Sequence, residues 1–96
     1  MNSKDRSKLI GVAANIEAVF QIGKEGISDN LIKIISDYLF AHEIIKLTVL
    51  KNTDDDKITI SEALAKAAKA EVVKVIGSKI ILYKKSDKKD IKHVLI

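Results

Sequence analysis

Two glycines spaced as G-x-x-G, in Gly23-Lys24-Glu25-Gly26, are the residues of this 96-residue chain best placed by type and spacing to do chemistry. An apolar stretch ending at Ile22 runs into them, and Ser28 follows as a helix start signal. A loop of this kind directs backbone N–H groups toward the positive end of a helix dipole, which suits an anion such as a phosphate. Glycines let a bulky backbone approach with no Cβ in the way, and Lys24 adds a positive charge between them. Alone, the pair is a weak motif, because short glycine pairs are often only turn chemistry.

Other candidates weigh less. The run Asp54-Asp55-Asp56 invites a metal, but a calcium loop needs further oxygen ligands at fixed offsets and a terminal Glu, which do not follow. The run reads better as one aspartate capping the next helix while the others complement its dipole. His42 falls in the last turn of a helix, a favourable place for its charge, and has no second ligand at metal spacing. No serine has a histidine near it in sequence, and no other carboxylate pair stands out. The chain therefore reads as no enzyme, with no catalytic residue, metal, cofactor or small-molecule substrate. Without cysteine there is no disulfide or thiolate site.

Charge points the same way as the loop. Net charge is +4. Basic residues gather in Lys4, Arg6, Lys8 and Lys24 near the start and in Lys84, Lys85, Lys88, Lys89 and Lys92 at the end. The middle is close to neutral. Such a footprint suits nucleic acid or an anionic surface. The start, Met1 to Lys8, is polar and lacks the apolar stretch of a signal peptide, and no apolar run is long enough to span a membrane. A soluble, cytoplasmic protein with no membrane partner is expected.

The elements that must position the loop follow from periodicity. Residues 3–14 read as a helix capped by Ser3, with Leu9, Val12, Ala13 and Ile16 on one face. Residues 17–22 read as a strand. Residues 29–42 form the clearest helix, capped by Ser28, with an apolar stripe of Leu31, Ile34, Ile35, Tyr38 and Leu39 opposite Lys33, Ser36 and Asp37. Ile44 to Lys51 reads as a central strand interrupted by solvent-facing Lys46 and Lys51. Residues 57–69 read as a helix packing through Ile60, Ala63, Leu64, Ala67 and Ala68. Glu71–Ile76 and Lys79–Lys84 read as a hairpin turning through Gly77-Ser78. After Ser86 charge dominates, and a mobile tail is expected, although Ile91, Val94, Leu95 and Ile96 offer apolar groups that could dock its end. The order α-β-α-β-α-β-β implies one compact α/β domain with a mixed sheet and helices packed on it. Phe20, Tyr38 and Phe40 are assigned to the core, and Tyr83 to sheet packing in preference to base stacking.

Three segments in register, Phe20-Gln21-Ile22-Gly23-Lys24-Glu25-Gly26, His42-Glu43-Ile44-Ile45-Lys46-Leu47 and Val75 to Lys84, resemble the YhbY family. This is the bacterial single-domain form of the CRM (chloroplast RNA splicing and ribosome maturation) domain. The resemblance implies a CRM-type RNA-binding domain over residues 1–86, a basic C-terminal tail over 87–96, and a sheet like that of the C-terminal domain of translation initiation factor three. It implies RNA as partner, specifically ribosomal RNA of large-subunit precursors, with ribosomal proteins as a second class of partner. Carried over by position, the RNA-binding residues are Gly23, Lys24, Glu25 and Gly26 of the loop, Lys4, Arg6 and Lys8 of the first helix, and Lys84 and Lys85 after Tyr83. The alternative is a protein-interaction module on ribosomal particles without RNA contact. The acid Glu25 inside the loop repels phosphate, which places the grip on the backbone of Gly23–Gly26.

Overall fold

In the computed structural model, residues 1–51 and 56–95 are described; Asn52 to Asp55 and Ile96 lie outside them. Of the aspartate run, only Asp56 is therefore seen.

The clearest helix of the sequence is capped at both ends. Helix α2 spans Asp29–His42, and Ser28 Oγ accepts the Leu31 amide at 3.1 Å. It ends where Glu43 enters the left-handed region, φ 68°, and donates its N–H to the Leu39 carbonyl. Helix α1, Ser3–Ala14, starts one residue earlier than the Ser3 cap implied: Asn2 is the cap, its Oδ1 accepting the Asp5 amide at 2.8 Å. Helix α3, Lys57–Ala68, is capped by Asp56, whose carboxylate accepts both the Thr59 amide and its hydroxyl. Those two bonds favour the charged carboxylate and hold its pKa below the ordinary aspartate value.

The strands are β1 (Phe20–Ile22), β2 (Ile44–Val49), β3 (Glu71–Ile76) and β4 (Lys79–Tyr83), ordered β1-β2-β4-β3. β1 and β2 are parallel, and the other pairs antiparallel. The expected mixed sheet and interior β2 are present, and Gly77 turns the hairpin with φ +55°. β1 is shorter than the 17–22 expected. Residues 17–19 carry the chain across from α1, and only Val19 among them bonds β2, through the Lys46 carbonyl.

The two sheet faces carry separate cores. Ile22, Ile45, Leu47, Val49, Ile80 and Leu82 point to one face and pack under Ile35 and Leu39 of α2 and Ile60, Leu64, Ala65 and Ala68 of α3. Ile44, Val73, Ile81 and Tyr83 point to the other and pack under Leu9 and Ala13 of α1, with Val94 and Leu95 of the C-terminal segment alongside. α3 is rotated from the expected face: Ser61 and Ala65 are buried, while Ala63 and Ala67 are exposed. Burying Ser61 is tolerated because its hydroxyl donates within the helix to the Ile58 carbonyl at 2.7 Å. Lys46 does not face solvent as expected. It is half-buried, and its ammonium donates to the carbonyls of Ala13 and Ile16 at the end of α1.

The C-terminal segment folds back onto the domain around Glu43, in contrast to the mobile tail expected. Glu43 is 0% exposed. Its carboxylate accepts the amides of Ser86 at 2.7 Å and Val94 at 2.8 Å, and pairs with His93 Nδ1 at 2.8 Å. Burial alone raises this carboxyl's pKa, but the Ser86, His93 and Val94 donors outweigh it and hold the pKa below the usual value. Charge patterning cannot reveal such a dock, because the anchor lies at the end of α2, far away in sequence.

Candidate functional site

The glycine loop leaves the C-terminal end of β1 and enters α2 within a few residues. Gly26 N–H donates to the Gly23 carbonyl at 2.9 Å, closing a tight turn, and Gly26 adopts φ +66°, where a Cβ is strained. The Ser28 cap takes only the Leu31 amide, so the amides of Asp29 and Asn30 open the helix without an intrahelical acceptor. The positive end of the dipole thus faces the loop. Lys24 and Glu25 are both exposed. Among the described residues neither side chain takes a hydrogen bond or ion pair, so Glu25 has no basic partner to neutralise it. Leu50 N–H donates to the Ile22 carbonyl at 2.8 Å, bringing exposed Lys51 beside the loop. Lys51 reads from sequence only as the edge of a strand, and it joins the loop through strand pairing.

The other residues expected at the site lie elsewhere. Arg6 donates through Nη1 to the carbonyls of Val72 and Val73 on β3. It thereby caps an irregular stretch of edge strand, where the register shifts between Val72 and Lys74. Lys4 and Lys8, each two residues from Arg6, lie on another side of α1, and both are exposed. Because β1 and β3 are opposite edges, the Arg6 contact sits three strand spacings from the loop, about 14 Å across. It is also displaced along the strands: Val72 pairs through Leu82 to Ile45, four residues from the Val49 that pairs with Ile22, or about 13 Å. Lys84 and Lys85 lie past the other end of α2. Lys84 is half-buried and reaches the Ala68 carbonyl at 3.4 Å, while Lys85 is exposed. The basic residues therefore form three separate positions around the domain.

The aromatic residues divide. Phe20 and Tyr38 pack against the core under α2, and Tyr38 lies 4.4 Å from the His42 ring. Tyr83 is 8% exposed in the α1-side core. Burial, and after it the nearby carboxylates of Glu43, Asp5 and Glu71, raise its pKa. Phe40 departs from its expected core position: it is 50% exposed. The signal was present in the helical wheel, since Phe40 follows Lys33 by seven residues and Ser36 by four, on the face assigned to solvent.

Among the described residues there is no group of three or more His, Cys, Asp or Glu that could hold a metal, and no helix long and apolar enough to cross a membrane. What remains is a small basic α/β domain with a glycine loop at a helix start and lysines spread over its surface. Comparison with known proteins places it further. The chain belongs to the CRS1/YhbY (CRM) domain family, whose model matches residues 1–84. It is 41% identical over 86 residues to the probable RNA-binding protein YqeI of Bacillus subtilis, covering 90% of each chain. A probable RNA-binding protein of Methanocaldococcus jannaschii is 38% identical over 86 residues, 88% of this chain and 63% of the relative. A hypothetical protein of Staphylococcus aureus, described as a candidate RNA binder, has a solution structure that matches with a TM-score of 0.78 at 43% identity over 94% of both chains. The relatives are named as RNA-binding proteins, not as enzymes.

Proposed function

We propose that this protein is a cytoplasmic RNA-binding protein that grips phosphate through the backbone of Gly23–Gly26 and acts on ribosomal RNA of large-subunit precursors during ribosome assembly. The observation that carries the phosphate grip is the loop itself. A tight glycine turn leads into the first amides of α2, of which the Ser28 cap takes only that of Leu31, and exposed Lys24 and Lys51 lie beside it. RNA as the anion is supported by the names of the relatives, and large-subunit RNA by the resemblance of the three sequence segments to the YhbY family. Lys4, Arg6, Lys8, Lys84 and Lys85 extend the contact as separate points along a folded RNA. Such contacts orient the nucleic acid and give affinity, with little sequence readout, and weaken with salt. Arg6 serves mainly to hold β3, and Lys4 and Lys8 carry the contact on α1.

The test is co-sedimentation of tagged protein with ribosomal particles at low salt, followed by crosslink mapping on the RNA. The expected result is comigration with large-subunit precursors and crosslinks at the loop. Protein remaining at the top of the gradient would reject the ribosomal assignment. The double substitution Lys24→Asp with Glu25→Asp is expected to weaken RNA binding without unfolding the domain, and unchanged affinity would remove the loop from the interface.

A second reading, a docking module for a ribosomal protein, draws on exposed apolar groups: Ile58 on α3 is 61% exposed and Ile76 on β3 47%. A salt-insensitive complex free of RNA would favour it.

A further inference from the structure

We propose that Phe40, with Lys84 and Lys85, forms a second RNA subsite that takes one unpaired nucleotide, stacking its base and holding its phosphate. The subsite presupposes that the chain binds RNA, and it adds a mode of recognition that the glycine loop cannot supply. A groove of about 310 Å³ runs beside the C-terminal half of α2, between Ser36, Leu39 and Phe40 on one wall and Lys84 to Asp87 on the other. Phe40 is the sole half-exposed aromatic among the described residues, the rest packing in the two cores. An exposed phenyl ring in water gains little by itself, whereas beside two lysines it offers the pairing that single-stranded nucleic acid uses, a π-face for a base and cations for its backbone.

The groove is built in advance. Buried Ser86 donates its hydroxyl to the Phe40 carbonyl at 2.5 Å, and its amide to buried Glu43 at 2.7 Å. The wall that carries the lysines is thereby clamped to the helix that carries the ring, so little order has to be imposed when a ligand enters. Asp87 in the same wall repels phosphate, which leaves Lys84 and Lys85 to take the backbone and Phe40 to take the base.

Position favours the same ligand. Phe40 lies eleven residues beyond Asp29, about 16 Å along α2 from the glycine loop, and exposed Lys33 sits on the connecting face. A phosphate at the loop and a flipped base at Phe40 are within one RNA molecule's reach along a single helix. The loop takes backbone of any RNA, whereas the groove requires a base that is free to leave its stack.

The natural chain contains no tryptophan, so Phe40→Trp installs a single fluorescent reporter on a dark background. The probes are a short single-stranded oligoadenylate and an RNA duplex without unpaired nucleotides, titrated by anisotropy against the full chain. The expected result is quenching of the Phe40→Trp variant by the single strand and not by the duplex. Phe40→Ala is expected to lose about tenfold in single-strand affinity, a loss that persists at raised salt, with duplex affinity unchanged. Circular dichroism and melting traces that match wild type separate the loss of this contact from a loss of fold in either variant. Equal single-strand affinity for wild type and Phe40→Ala, with duplex binding intact, overturns the subsite and leaves the loop-based reading standing. Wild type that binds neither probe overturns both. A Phe40→Ala variant that keeps RNA binding and loses a ribosomal protein in particle pull-downs also overturns the subsite, in favour of a protein contact at the ring.

Discussion

His93 Nδ1 lies 2.8 Å from Glu43 Oε2, across a sequence separation of 50 residues. The same carboxylate gathers the amides of Ser86 and Val94. One buried side chain thus ties both ends of the C-terminal segment to the end of α2. Glu43→Ala leaves the buried Ser86 amide and the part-buried Val94 amide without their acceptor and is expected to cost about 3 kcal/mol, since each orphaned group costs roughly 1–3 kcal/mol. Urea unfolding checks this. The same variant should expose residues 87–95 to limited proteolysis, with cleavage faster than in wild type.

The clasp sets a pH dependence whose sign follows from the depressed Glu43 pKa. A carboxyl held below its ordinary value of 4.5 stabilises the fold fully above that value. The contribution is lost as pH falls through the lower folded-state value and the group protonates. Asp56 follows the same rule through its Thr59 bonds, so wild type must be compared with Glu43→Gln to isolate the clasp. The stability gap between the two is expected to close as pH falls below about 4. A gap that stays constant down to about pH 3 would count against the clasp.

Arg6 and its neighbours separate structure from binding on one helix. Arg6→Ala removes the donor to two β3 carbonyls and is expected to lower stability by about 1.5 kcal/mol, typical of hydrogen bonds to a charged group. Lys4→Ala and Lys8→Ala should leave stability within about 0.5 kcal/mol, as surface substitutions do. On the RNA-binding proposal, each lysine variant reduces the slope of log affinity against log salt by about one phosphate contact. Thermal melts and salt titrations of the three variants check the split.

The two loop glycines should respond differently to alanine. Gly26 has φ +66° and open space, with nothing within 4 Å, where a methyl group would be added. Gly26→Ala therefore costs only backbone strain, about 1 kcal/mol. At Gly23 a Cβ meets Leu50 Cδ1 at 3.5 Å, ordinary contact, and no positive φ is present. Gly23→Ala is therefore expected to melt close to wild type. Both substitutions add bulk where a phosphate would approach the amides, so both should weaken RNA binding, with Gly23→Ala doing so at unchanged stability. Melting curves paired with anisotropy titrations read the two effects separately.

Much of the local structure was legible from residue types. Ser28, the apolar stripe from Leu31 to Leu39 and the absence of a helix breaker dictate α2 over 29–42. The pair Gly77-Ser78 between two β-branched runs dictates the hairpin, because a two-residue turn needs a residue that accepts positive φ. The glycine loop follows from a strand and a capped helix that leave only a few residues between them. Three sequence segments in register were enough to indicate the family, since neither their order nor their spacing depends on tertiary contacts.

Other features depend on groups brought together from distant parts of the chain, and these only the tertiary structure decided. Periodicity shows that α1 has an apolar face, but not that it covers the opposite side of the sheet from α2 and α3, because both sheet faces are apolar along β2. A buried glutamate looks in sequence like any surface acid; Glu43 is distinguished by three donors from residues 86–94. Lys46 reads as solvent-facing and Arg6 as an RNA contact until carbonyls at the end of α1 and on β3 are placed against them. Phe40 reads as core by its type and lies at the surface by its helical phase, and the groove beside it exists only because Ser86 is bonded back to the same turn. Short-range preferences set the elements and the loop, whereas burial and pairing over long separations set which charges are structural and which are free to bind.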